Sequence, residues 1–185
     1  AQGRVFVHPY DDPAIIAGHG TLGLELLEAV EDLSHVFLSI GGGGFAAGVA
    51  AALKARKPGL AVIGVETTGA QTMTKALEAG EPVTIRATSI ARTLGAPFVT
   101  PRTLAAARAF LDRIVLVEDA DVVRDIDVVL QEEKMLCEPA AACVLTAARQ
   151  IARDLPAEAR IGLVLCGSNV ALEDLAGWRN SFATH

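Results

Sequence analysis

The stretch from Val36 to Gly59 constrains this chain more than any other. Val36-Phe37-Leu38-Ser39-Ile40 has the length and apolar character of a buried strand, and it passes directly into Gly41-Gly42-Gly43-Gly44. Phe45 to Lys57 is then long enough for a helix, built of small residues and stopped by Pro58-Gly59. Strand, glycine turn and helix form one half of a parallel βαβ unit, since parallel neighbours require a crossover and buried parallel strands read as continuous apolar runs.

The pattern recurs along the 185 residues. Val5-Phe6-Val7 reads as a short strand, and Leu22, Leu26, Leu27 and Val30 share one face of a helix from about Gly20 to Glu31. Ala61 to Glu66 reads as a strand followed by a helix over Ala70 to Ala79. Between Glu81 and Thr100 the chain is irregular, and a helix from Arg102 to Leu111 follows. Ile114 to Val117 and Ile161 to Leu165 are further strands, separated by helices from Ala120 to Lys134 and from Pro139 to Arg153, and a last helical segment closes the chain. With no repeat or linker, the expectation is one α/β body: an open, mostly parallel sheet with helices on both faces.

Composition narrows the function. A formal charge of −6 supplies no basic field for a phosphate backbone, so a small molecule is expected as partner and not a nucleic acid. The longest small-apolar run, Ile40 to Leu53, is 14 residues with five glycines, against the roughly 20 that a membrane-spanning helix requires, so no membrane partner is expected. Cys137, Cys143 and Cys166 are odd in number and set among apolar residues, which suits reduced thiols and a cytoplasmic location. Neither they nor the histidines are spaced as metal ligands. The opening Ala1-Gln2-Gly3-Arg4 has neither an initiator Met nor a signal-peptide layout, as in a chain that starts partway through a gene product.

In a parallel sheet, ligands bind beyond the carboxyl ends of strands, so chemistry is sought where strands meet loops. Gly41 to Gly44 lack Cβ atoms and open a helix whose first N–H groups have no internal acceptor, the setting of an anion cradle. A plain flexible turn is the alternative. Gly41, Gly43 and Ala46 also fit the dinucleotide fingerprint, with Glu66 at the next strand end where a ribose-binding acid belongs. Gly18 to Gly23 repeats that spelling, but Pro9 and Pro13 separate it from the preceding strand, so it reads as a helix start with Thr21 near the N-terminus. Cys166-Gly167-Ser168-Asn169 sets a thiol and a hydroxyl, two uncharged donors, at the end of a buried strand. Glu138 is a carboxylate in an apolar stretch before a helix, suited either to a site or to the helix dipole. His8 and His19 are weaker polar candidates, and Glu118, Asp119, Asp121, Asp125 and Asp127 read as a solvated helix start.

Together, His8-Pro9, Ile16 to Thr21, Ile40 to Gly44, Val65-Glu66, Ser89-Ile90-Ala91, Cys137 to Ala141 and Leu165 to Asn169 resemble the threonine dehydratase and serine racemase group of fold type II pyridoxal-phosphate enzymes. The ordered set spans almost the whole chain. The resemblance implies that Gly41, Gly42, Gly43 and Gly44 hold the phosphate of pyridoxal 5'-phosphate, and that Cys166, where the family usually has serine, faces the pyridine nitrogen with Ser168 beside it. It implies that Glu138 lines the same pocket and orients cofactor or substrate. A neutral partner leaves the ring a weaker electron sink, which suits β-elimination of a hydroxyamino acid to a 2-oxo acid and ammonia.

The family's Schiff-base lysine lies in a half that precedes these residues. Lys54, Lys57, Lys75 and Lys134 all fall on helices, none in a Ser-x-Lys context. Residues 1–185 are therefore expected to be the carboxyl-terminal part of the cofactor-binding domain, inactive alone, its partners being the missing amino-terminal half and a second copy in a homodimer. Arg92-Thr93 stands where relatives commonly have Asp-Gly, and His19 where glutamine is usual, which bears on substrate choice. Thr72 replaces an acid of the cation site that some relatives build near Glu66 and Ala70, so weak metal binding or none is expected. Racemisation, a nicotinamide-dependent oxidation and a non-catalytic module are the alternatives.

Overall fold

A computed structural model describes residues 3–182, so Ala1 and Gln2 lie outside the described residues. Asp12 opens the first helix, α1 (Pro13–Ala29), by accepting the N–H groups of Ala14 and Ile15, with Pro13 pre-set at the first helical position. β1 (His35–Ser39), α2 (Gly44–Arg56), β2 (Ala61–Thr67) and α3 (Thr72–Ala79) follow. After an irregular stretch with a single turn of 3-10 helix at Arg92–Leu94 come α4 (Pro101–Phe110), β3 (Arg113–Val117), α5 (Asp119–Val128), α6 (Pro139–Gln150), β4 (Ile161–Leu163) and α7 (Leu172–Phe182).

The four strands form one parallel sheet in the order β3-β2-β1-β4, with His35 opposite Ala61 on one side and Ile161 on the other. Alternation along the strands feeds two cores. Val36, Leu38 and Val62 pack with Val49 and Leu53 of α2, while Phe37, Ile63 and Val65 pack with Val122 and Ile126 of α5 and Val144 of α6. Helices therefore cover both faces, as expected. Among the described residues no helix is long and apolar enough to cross a membrane.

Several local expectations are corrected. Val5 to Val7 form no strand and stand exposed, and among the described residues no strand pairs with them. α1 starts at Pro13, so Gly18 to Gly23 lie inside the helix and the Thr21 hydroxyl donates to the Gly18 carbonyl. The helix expected to reach Lys134 ends at Val128 and runs on as a π turn, Val129–Glu133, closed by Lys134 at φ 58°. The acidic run is not simply solvated. Asp119 accepts from the Ser89 hydroxyl at 2.6 Å and the Ile90 N–H at 2.9 Å, pinning the irregular stretch, and buried Asp125 pairs with Arg149.

Candidate functional site

The chain leaves β1 for β2 on one side of the sheet and returns to β1's other side only at β4. The carboxyl ends of β1 and β4 therefore border the crevice where strand order reverses, the usual ligand position in an open α/β sheet. β1 ends at Ser39 and runs through Ile40 into the tetraglycine. Past β4, the Val164 N–H still donates to the Phe37 carbonyl, so the chain stays beside β1 until Cys166. There the Cys166 thiol and the Ser39 hydroxyl meet at 3.3 Å.

A cavity of about 600 Å³ opens at this point, lined by Tyr10, Ser39, Gly41 to Gly44, Thr93, Glu138 and Cys166, among others. Three of the sequence-predicted features, the tetraglycine, Glu138 and Cys166, are thus brought together from widely separated positions. Ser168 is exposed and is not among the lining residues. Glu66 is also absent from the lining. It is fully buried, and its carboxylate accepts the N–H groups of Met73 and Thr74 and the Thr74 hydroxyl at the start of α3. Desolvation outweighs those bonds and raises its pKa. Glu66 is thus committed to a helix start and does not face the cavity as a ribose-binding acid would.

The glycines have reasons of their own to lack side chains. A Cβ on Gly42 would fall 2.3 Å from Cγ of Tyr10, and one on Gly44 would fall 2.4 Å from the Tyr10 carbonyl oxygen. Gly43 sits at φ 93°, a left-handed conformation, immediately before α2. A left-handed residue followed by right-handed ones turns successive N–H groups toward one point, forming a nest for an anion at the positive end of the helix. That geometry, with the uncharged Cys166 thiol lining the same cavity, suits a phosphorylated heteroaromatic ring.

Glu138 is hydrogen-bonded at one oxygen and closely approached at the other. The Thr93 hydroxyl donates to Oε2 at 3.0 Å, and Oε1 lies so close to Gly167 that a Cβ there would be 2.2 Å away. Cys166 is exposed to the cavity, yet enough protein surrounds its sulphur for burial to raise its pKa. The Ser39 contact lowers it and the neighbouring Glu138 raises it. Burial, assisted by Cys166 and Glu138, pushes the Cys137 thiol up to about 11. None of the four lysines lines the cavity: Lys54 pairs with Asp112, Lys57 and Lys134 donate to backbone carbonyls, and Lys75 is exposed.

Sequence reasoning missed Ser39, Tyr10 and Thr93 as members of the site. Ser39 left a trace, being the one polar residue in the run Val36 to Ile40. Thr93 was visible only as a departure from the family pattern, and Tyr10 gave no signal. His8, read as a site candidate, instead accepts the N–H groups of Tyr10 and Asp11 on Nδ1 and so shapes the turn that carries Tyr10. His19 lines the cavity, edge-on to Phe45.

Comparison with known proteins agrees with this geometry. The L-threonine ammonia-lyase of Geobacter sulfurreducens is 37% identical over 147 residues, which are 79% of this chain and 37% of that protein. The processed form of threonine deaminase isoform 2 from Solanum lycopersicum superposes with a TM-score of 0.91 at 29% identity, covering 99% of this chain and 51% of that one. Maize serine racemase gives 0.87 at 30% identity, covering 99% and 57%. The chain thus spans between about a third and three fifths of the length of these relatives. The family model described as pyridoxal-phosphate dependent enzyme matches residues 1–167, and with the strand order and the cavity this shows that the chain belongs to that family.

Proposed function

We propose that the polypeptide to which this chain belongs is an ammonia-lyase that takes threonine or serine to a 2-oxo acid and ammonia by β-elimination, and that residues 1–185 are the carboxyl-terminal part of its cofactor-binding domain. The observation that carries the reading is the meeting of tetraglycine, Cys166 and Glu138 around one cavity that no lysine of this chain reaches.

When bound, pyridoxal phosphate supplies an electron sink for a carbanion next to the amino group. The chain's own residues supply the binding and orienting groups. N–H groups of Gly41 to Gly44, at the start of α2, hold the phosphate by hydrogen bonds and by the helix dipole. Cys166 would donate an uncharged hydrogen bond to the ring nitrogen, with Ser168 as a further cofactor-binding hydroxyl. An uncharged partner at that position would suit β-elimination. Glu138, held by Thr93, orients cofactor or substrate. The lysine that would carry the cofactor and serve as base lies, in this reading, in an amino-terminal half outside these residues. The reading has the enzyme working in the cytoplasm, on the strength of its three free thiols, and as a homodimer, as the resemblance implies.

The test uses the full polypeptide with pyridoxal phosphate. Borohydride should fix the cofactor on a lysine outside Ala1–His185, and threonine or serine should yield ammonia and a 2-oxo acid in equal amounts. A label on Lys54, Lys57, Lys75 or Lys134 would overturn the assignment. Conversion of serine to its enantiomer without ammonia would make the enzyme a racemase.

A further inference from the structure

Ser39 is a hydroxyl in a place built for hydrocarbon. It ends β1, is 4% exposed, and its neighbours Phe37, Leu38 and Ile40 are buried apolar residues. A hydroxyl buried there costs free energy unless it is partnered. Its side-chain hydrogen bond is to Cys166 Sγ at 3.3 Å; apart from Ser39, the thiol's proton has only the Ala140 carbonyl as an acceptor, at a long 3.9 Å.

We propose that Ser39 is a positioning residue for Cys166: its O–H donates to the sulphur, which turns the thiol's single proton into the cavity, toward the ring nitrogen of the cofactor. The inference rests on the reading that Cys166 faces that nitrogen. The reverse arrangement, thiol donating to hydroxyl, would leave the Ser39 proton without a recorded acceptor and the cavity without a donor. With Ser39 as donor, both protons are used. The same bond stabilises the thiolate relative to the thiol and makes the S–H a stronger donor. Of the other titratable groups near this sulphur, Glu138 in the cavity wall raises its pKa, and the sulphur in turn raises those of Cys137 and Cys143. None of them is a donor to it.

The experiment uses the full polypeptide, first freed of cofactor. Cys137 and Cys143 are buried and Cys166 is the exposed thiol, so iodoacetamide labelling of the Cys166 peptide, read by mass spectrometry against pH, reports on this thiol. Ser39→Ala should move the labelling midpoint up by about one pH unit, equivalent to one ordinary hydrogen bond. Ser39→Gly should do the same, and Ser39→Thr should restore the original midpoint. An unchanged midpoint in Ser39→Ala and Ser39→Gly, at unchanged melting temperature, overturns the proposal. In the loaded enzyme, pyridoxal phosphate should protect Cys166 from labelling. Bound cofactor without protection would instead refute the reading beneath the proposal, whatever the midpoint does.

Discussion

Two glycines of the tetraglycine should fail in different ways when given a methyl group, because one faces the Tyr10 ring and the other the Tyr10 backbone. In Gly42→Ala the new Cβ would lie 2.3–2.4 Å from Cγ, Cδ1 and Cδ2 of Tyr10, against the 3.5–4.0 Å of a comfortable carbon contact. The ring must retreat by more than an ångström, although its hydroxyl is tied to the Phe98 carbonyl at 3.1 Å and its face meets the edge of His8. Overpacking of this kind costs about 1–3 kcal/mol, which in a chain of this size lowers the melting temperature by about 2–12 °C. Tyr10→Ala removes the obstacle, so Gly42→Ala should then cost almost nothing and the coupling between the two changes should be about 1–3 kcal/mol. In Gly44→Ala the Cβ meets Tyr10 O at 2.4 Å and Cα at 2.6 Å, atoms that Tyr10→Ala leaves in place. Its coupling to Tyr10→Ala should fall within about 0.5 kcal/mol of zero. Melting curves of the five variants, followed by circular dichroism, measure both cycles. Equal couplings for Gly42 and Gly44, or a costless Gly42→Ala with Tyr10 present, would refute the claim that Tyr10 dictates these glycines.

Glu66 predicts a pH dependence. Its folded pKa is raised, so the protonated acid is favoured by folding: this contribution is complete below the ordinary glutamate pKa and is lost as pH rises through the folded value. Melting temperature should therefore fall with rising pH over that interval, and Glu66→Gln should flatten the slope; an identical slope in the variant would contradict the assignment. Asp119→Ala leaves the Ser89 hydroxyl and Ile90 N–H without their acceptor, at a cost of about 1–3 kcal/mol. Hydrogen exchange should show the Ile90 amide losing protection while β1 and β2 amides keep theirs.

Elements whose local chemistry agrees with their packing were legible in the sequence. β1, β2 and α2 appear within a residue or so of their expected bounds, because a buried parallel strand must be continuously apolar and Gly43 and Lys57 flank a helix of small residues. The failures are equally local. Val5 to Val7 have strand character but no partner strand among the described residues, and strand propensity without a ladder does not make a strand. α1 was read to start late because Gly18, Gly20 and Gly23 look like turn residues. In the fold they are helical, and Gly20 and Gly23 lie against Gly48 and Val49 of α2, where a Cβ on Gly23 would fall 2.8 Å from the Val49 carbonyl oxygen and one on Gly20 would be tight at 3.3 Å.

What the sequence by itself determined is a set of strand-end motifs: a tetraglycine before a helix, a thiol after a strand, an acid before a helix. Backbone chemistry and hydrophobic period are written residue by residue, and these motifs depend on little else. Only the tertiary structure decided which motifs share a cavity. Strand order put β4 beside β1, brought Cys166 to Ser39 across 127 positions of chain, turned Glu66 away to cap α3, and laid Tyr10 over the glycines. Contacts between residues so far apart follow from how whole elements pack, and no local pattern encodes them.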